Sequence, residues 1–369
     1  MAAHAWYPLL LEPHLRPTPW GGQRLAEHLH KPLAAQPVGE SWEAFDDSTV
    51  ANGPHAGTRL QDLLRHSVRD VLGEGATGTA PFPLLFKFLD AQQDLSVQVH
   101  PDDAHAQALE GYPYGKTEAW YILHAEPGAR IVHGFRAGVD EAAVRAALAE
   151  HVFADLLAFV PVQRGDVVFV PAGTVHAVLK GIVLAEIQQQ SDITYRFYDW
   201  NRMDDSGRPR ALHVEKALRV TNFSALETHT VRPLSICSEA YDRDWLVACR
   251  YFAWERLNVR ACTPELPLDK FQLLSVIAGA AEVAYGDRYS HSLSARHGQT
   301  VLLPARLQSY RLRPAQQPCV LLKAYVPALR ADVVAPLRAA GHPDASIQQL
   351  GGADVAHNDV LPIIHSTSA

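Results

Sequence analysis

The chain has 369 residues, 47% of them hydrophobic and 20% charged, with a formal net charge of -7. That length can bury one large core or two smaller ones, and the acidic balance excludes a global basic field for nucleic acid or anionic lipid. An anionic ligand must therefore be caught by a local pocket of Lys and Arg.

No uninterrupted apolar stretch approaches the roughly 18 residues of a membrane span. The N-terminal MAAHAWYPLLLEPHLRPTPWGG lacks the charged region and long apolar run of a signal peptide. The four cysteines, Cys237, Cys249, Cys262 and Cys319, form no C-x-x-C pair. The expectation is a cytoplasmic protein with reduced, buried thiols.

In chain order, apolar residues at helical spacing predict a first helix over 60–73, followed by strands at 84–90, 95–100 and 118–124. A long helix is expected over 138–160, with Asp140 as its cap or first-turn acid. Strands at 166–171, 181–190 and 193–199 follow, then a helix over 214–223. Strands at 271–279, 300–305, 309–314 and 319–326 precede a last helix at 335–341. Many short strands punctuated by Gly and Pro predict a mainly β protein with a helical portion, built as a sandwich or barrel. The segment GDVVFVPA (165–172) returns as GQTVLLPA (298–305), an offset of 133 residues, which points to two related β units. The division read from this is 1–228, 229–328 and a tail, 329–369, of uncertain order.

The candidate chemistry lies in the first unit. Gln98 and His100 in LSVQVHPDD are two apart on a strand, so both face one side, with Val97 and Val99 facing outward. Inward polar groups need partners, and a cation satisfies both. Glu118 opens the next strand, and His176 closes a G-x5-P-x-G-x2-H pattern through Gly165, Pro171 and Gly173. In that pattern the strand runs along a barrel wall, Pro-x-Gly turns the corner, and the His re-enters facing inward. It resembles the second signature of the cupin barrels. The first signature usually has two His one residue apart and a Glu shortly after; here Gln98 replaces the first His, and the Glu comes 18 residues after His100. Two imidazoles, a carboxylate and an amide oxygen form a donor set suited to Zn²⁺ with open positions.

QVHPDD with GKTEAWYIL, then GTVHAVLKGI and EIQQQSDITYRFYDWNR, is similar to the type I mannose-6-phosphate isomerases. PWGGQRL (19–25) and GESWE (39–43) resemble the N-terminal motifs of the short bacterial members, and the likeness runs from about residue 6 to 326. The resemblance implies two cupin-like (jelly-roll) barrels and one zinc ion per chain, held by Gln98, His100, Glu118 and His176. It also implies a catalytic role for Arg196. The second barrel has Ser309 and Arg306 at the places of His176 and Gly173, so it is expected to lack a metal site.

Chemistry of this class moves a proton between C2 and C1 of an open-chain sugar through an enediolate. Lys116, on the turn before Glu118, and Ser96 are then expected to hold phosphate. Lys87, flanked by apolar residues, is a candidate proton carrier if burial lowers its pKa, with Asp192 as a supporting group. His133 in RIVHGF is read as structural, and Trp20, Trp42 and Trp120 as core aromatics, Trp20 also at a pocket edge. The implied substrate is a phosphorylated hexose and the implied assembly a monomer or homodimer. The competing readings are an isomerase of another sugar phosphate, a metal-binding sensor without turnover, and an Fe²⁺ oxygenase, against which the Gln counts.

Overall fold

Side-chain alternation along the strands decides the architecture. In the strand Leu84–Ala91, Lys87 and Leu89 face one side while Phe86 and Phe88 face the other. Every residue of this strand is buried, so it needs a layer on both faces. The structure, a computed structural model, describes residues 5–76, 81–203, 207–226 and 229–366.

Leu84–Ala91 lies inside a six-stranded sheet ordered His14–Gly22, Val38–Ala44, Leu84–Ala91, Ile182–Gln189, Glu118–Ala125, Val167–Val170. One face of it covers a five-stranded sheet ordered Tyr195–Tyr198, Val97–Val99, His176–Val178, Arg130–Phe135, Leu157–Pro161. Leu89, Trp120, Ile131, Val170, Val178 and Leu184 fill the space between, the interior of the first barrel. The other face packs Phe86, Phe88, Val183 and Ile187 onto Trp245, Val247, Trp254 and Leu322 of a nine-stranded sheet. That sheet encloses an interior of its own, with Leu257, Leu274, Val301, Leu312 and Leu321. Two jelly-roll barrels are therefore stacked through the backs of their large sheets.

The repeat heard in the sequence is a repeat of structure. Val167–Val170 and Thr300–Leu303 are both fully buried strands, each entered through a glycine with positive φ, Gly165 (94°) and Gly298 (80°). The chain does not divide cleanly between barrels, however: Leu9–Leu11 pairs with Thr300–Leu303 of the second sheet.

Several local expectations change. The helix begun at Asp140, whose carboxylate accepts from Ala143 N, ends at Ala149. Residues 157–160 are instead part of the strand Leu157–Pro161 against Arg130–Phe135. An apolar run fits either element, and here a sheet edge was available to it. The strands expected at 309–314 and 319–326 are one long strand, Gln308–Tyr325, bent by register shifts against Gln272–Tyr285. Val97 and Val99 do face away from the polar pair, but toward a second apolar layer with Phe135, Phe153 and Phe197 rather than toward solvent. Cys249 and Cys319 are buried, whereas Cys237 and Cys262 are exposed; all four are free thiols. The described part of the tail forms short helices, and its Leu337, Ile347, Leu350 and Val360 join the core between the barrels. Among the described residues, no helix is long and apolar enough to cross a membrane.

Candidate metal centre and active site

The site forms where the two sheets of the first barrel meet. After Val167–Val170, the turn through Pro171 and Gly173 reverses the chain; Gly173 takes φ 87°, and a Cβ there would press on Val220 O at 3.0 Å. His176 then begins its strand directly opposite Gln98. Its Nδ1 lies 2.9 Å from Thr174 O. His100, one residue past Val97–Val99, places Nδ1 2.8 Å from Ile193 O. A carbonyl only accepts, so each Nδ1 carries the proton and each Nε2 turns a lone pair into the barrel. Glu118 meets both from the six-stranded sheet, at 3.2 Å from His176 Nε2 and 3.5 Å from His100 Nε2.

These groups form a candidate ligand set. His100, Glu118 and His176 are each at most 1% exposed. Burial foremost, then the Lys116 ammonium, holds His100 well below the ordinary imidazole range. Burial pushes His176 down to about 4, so both rings are neutral donors. Glu118 Oε2, 3.0 Å from the Lys116 ammonium, and His176 Nε2, 3.2 Å from Glu118 Oε1, are buried without a well-directed hydrogen bond, so their lone pairs remain available to a cation. Their ligand atoms and that of His100 lie within 4.8 Å of one another, the one such group of three or more among the described residues. A divalent metal fits this donor set, and the carbonyl bonds to both Nδ1 atoms orient the rings for it.

The cavity above, about 390 Å³, is lined by Gln98, Glu118, Lys116, Lys87, Glu186, Glu40, Trp20 and Ser96, with Arg16, Asp192, Arg196 and Arg210 toward the opening. Three placements differ from expectation. Lys116 does not stand at the mouth; it is buried, 3.0 Å from Glu118 Oε2 and 3.0 Å from His100 Nε2, because it shares a face with Glu118 two residues on. Lys87 is buried, which by itself would lower its pKa, but Glu186 at 3.0 Å and Glu40 at 3.8 Å outweigh that and hold it above the usual lysine range. It is thus a fixed cation rather than a proton carrier. Asp192 is 65% exposed and sits 4.0 Å from Arg16.

Arg196 is half-buried; its Nε donates to Ser96 Oγ at 3.0 Å and its Nη1 to Ala211 O at 3.1 Å. It lies opposite Gln98 on the adjacent strand. Burial and then the nearby Arg210 push its pKa down, so two cations face the opening without full compensation. The sequence reading missed Glu186 and Glu40. Burial, then the like charge of Glu118, pushes Glu186 up to about 7 against the pull of Lys87. The available signal was a lone acid in the apolar run GIVLAEIQQQ, a carboxylate that must face a barrel interior. His133 is paired opposite His176 on the same face of the sheet, but its ring packs on His229 and its Nε2 lies 3.1 Å from Phe169 O.

A cupin-like barrel with one buried His/Glu/His group beneath a basic opening defines a cupin with a candidate metal site. The family model for the phosphomannose isomerase type I catalytic domain matches residues 9–129. A mannose-6-phosphate isomerase of Streptococcus mutans is 35% identical over 309 residues, 82% of this chain and 94% of that protein. The ManA mannose-6-phosphate isomerase of Bacillus subtilis is 37% identical over 83% of this chain and 95% of its own length. The crystal structure of the mannose 6-phosphate isomerase from Bacillus subtilis superposes with a TM-score of 0.79 at 31% identity, covering 87% of this chain and all of that one. The chain belongs to the type I mannose-6-phosphate isomerase family, and it is an isomerase.

Proposed function

We propose that the chain interconverts mannose 6-phosphate and fructose 6-phosphate, using one zinc ion held by Gln98, His100, Glu118 and His176. The observation that carries this is the buried His100, Glu118 and His176 group, its ligand atoms within 4.8 Å of one another, set below a cavity whose opening carries Arg16, Arg196 and Arg210. Its ends match a phosphosugar: a metal for the reacting hydroxyl and carbonyl oxygens, cations for the phosphate. Two imidazoles with a carboxylate and an amide favour zinc over Mg²⁺ or Ca²⁺, which prefer all-oxygen shells. When bound, such an ion supplies Lewis-acid polarisation of the sugar oxygens.

The protein's own groups do the rest. Arg16 and Arg210, on the rim, bind the phosphate. Ser96 and Ala211 O set the Arg196 guanidinium, which donates to the oxygen that gains charge as the enediolate forms. Glu186 is positioned to take the proton from C2 of the aldose and return it to C1, in the role first given to Lys87. Lys87 then orients both Glu186 and Glu40. Trp20, 7% exposed, walls the cavity and keeps bulk water from the proton in transit. The free thiols fit work in the reducing cytoplasm, and nothing in this mechanism requires more than one chain.

The test is turnover of mannose 6-phosphate by purified protein before and after chelation. Activity should vanish with the metal and return on adding one equivalent of Zn²⁺. Full activity in metal-free protein, or metal-loaded protein inert toward mannose 6-phosphate, would overturn the assignment.

A further inference from the structure

The two back-to-back sheets are equivalent strand for strand, which identifies what stands in the second barrel where the active site stands in the first. Lys87 lies opposite Glu186 as Glu255 lies opposite Lys323. Glu40 lies opposite Leu89 as Arg243 lies opposite Leu257. Trp120 lies opposite Glu186 as Leu274 lies opposite Lys323. Gln272, two residues before Leu274, therefore holds the place of the ligand Glu118, two before Trp120. The neighbours of these two, Leu303 and Val170, are the pair separated by the 133 residues of the sequence repeat.

Within this frame every charge is reversed. The acid–base–acid set Glu40, Lys87, Glu186 becomes the base–acid–base set Arg243, Glu255, Lys323. One excess negative charge in the first barrel becomes one excess positive charge in the second, and the metal-ligand carboxylate becomes a neutral amide. Glu255 is fully buried and receives Arg243 Nε and Nη2 at 2.7 Å each, Lys323 at 2.7 Å and the Tyr325 hydroxyl at 2.5 Å. One carboxylate is thus shared by two cations, and its lone pairs are used up. Arg243 and Lys323 also line a cavity of about 220 Å³, together with Tyr241 and Gln272. At the other end of the wall Lys270 stands between two carboxylates, Asp332 at 2.7 Å and Asp269 at 3.3 Å, so that end carries no positive excess. The excess charge therefore belongs to Arg243 and Lys323. Burial, and next the Arg243 charge, push Lys323 down to about 8 against the pull of Glu255 and Asp332.

We propose that the second barrel binds a phosphate group, as the free ion or on a small ester, between Arg243 and Lys323. A guanidinium edge beside an ammonium suits a tetrahedral oxyanion. The cavity holds several times the roughly 30 Å³ share of one water, which admits phosphate or a compact phosphate ester. The sign of the ligand follows the sign of the three-residue set: a cation beside the acidic set Glu40, Lys87 and Glu186, an anion beside the basic set Arg243, Glu255 and Lys323. This inference is independent of the isomerase assignment, because no residue of the first barrel enters it.

The zinc-loaded full chain is titrated calorimetrically with inorganic phosphate, in parallel with Arg243→Gln. In that variant Glu255 keeps Lys323 and Tyr325, and the isomerase rate should not change. Wild type should show a saturable site whose affinity falls about tenfold or more in Arg243→Gln. Crystals soaked in selenate, a tetrahedral oxyanion with an anomalous signal, should show selenium between Arg243 and Lys323. Glycerol 3-phosphate binding tighter than phosphate identifies an ester as ligand, and weaker binding identifies the free ion. Identical phosphate isotherms for the two proteins, or a selenate map without a peak in the second barrel, would overturn the proposal.

Discussion

The floor and the rim of the first-barrel cavity are built from different materials. On the floor, His100, Glu118 and His176 are at most 1% exposed, and each imidazole is fixed by a carbonyl two or more residues away. On the rim, Arg16, Arg210 and Asp192 have side chains 43%, 41% and 65% exposed, held by ion pairs of 3.7–4.0 Å. Buried, preorganised groups lose no reorganisation energy as charge develops, whereas solvated groups trade contacts with water almost evenly. The floor should therefore set the rate and the rim the affinity. Arg196, half-buried and beside Gln98, lies between them.

The largest break comes from the floor. His176→Ala should lower activity by more than about 100-fold, since loss of even a supporting partner of a metal ligand costs 10–100-fold. Elemental analysis should find the metal reduced, while the thermal transition persists because the apolar side chains Leu89, Trp120, Ile131, Val170, Val178 and Leu184 of the barrel interior remain in place. Full stoichiometric zinc in this variant would remove His176 from the ligand set. Glu186→Gln should lower kcat by about 10²–10⁴-fold with metal content unchanged, the range for a lost general acid–base group. A kcat within twofold of wild type would return the proton to another residue.

How far this division was readable in the sequence follows from the distance over which each feature is encoded. Gly165, Pro171, Gly173 and His176 lie within one turn of chain, so their pattern fixed the corner and the direction of the His. Strand pairing is long-range, so the reversal of Lys116 from mouth to floor became visible only once Glu118 was set against Gln188. The pKa of Lys87 had the wrong expected direction for a similar reason. Burial was legible from LLFKFLD, but Glu186, 99 residues later in the chain and directly across the strand pair, was not. The apolar run at 157–160 became strand because the edge of Arg130–Phe135 lay beside it, which no local propensity records.

Arg196→Ala tests the boundary between floor and rim. If its guanidinium meets the developing oxyanion, kcat and kcat/KM should fall together by about 100-fold, equivalent to about 3 kcal/mol. Arg196→Lys should recover little, because an ammonium cannot both donate to Ser96 and reach the substrate with a planar fork. A raised KM at unchanged kcat would move Arg196 to the rim. Arg210→Ala should give that second pattern, with KM rising about tenfold and kcat retained, the loss of one charge-assisted contact to phosphate. Steady-state kinetics on mannose 6-phosphate separates the two variants.

Asp192 should matter least, though the sequence made it a candidate for catalysis. Its carboxylate is 65% exposed and 4.0 Å from Arg16, itself stacked over Trp42 at 4.0 Å. An ion pair of that length in solvent is worth about 0–1 kcal/mol, so Asp192→Asn should shift kcat/KM by about fivefold or less. The direction is also fixed. Removing a negative charge from a rim that receives phosphate lowers repulsion and frees Arg16, so KM should fall rather than rise, and the gain should shrink as salt is added. A drop in kcat of tenfold or more with metal retained would place Asp192 in the proton path and take that role from Glu186. It would also break the rule drawn here between burial and rate, because a solvated group would then control the chemical step.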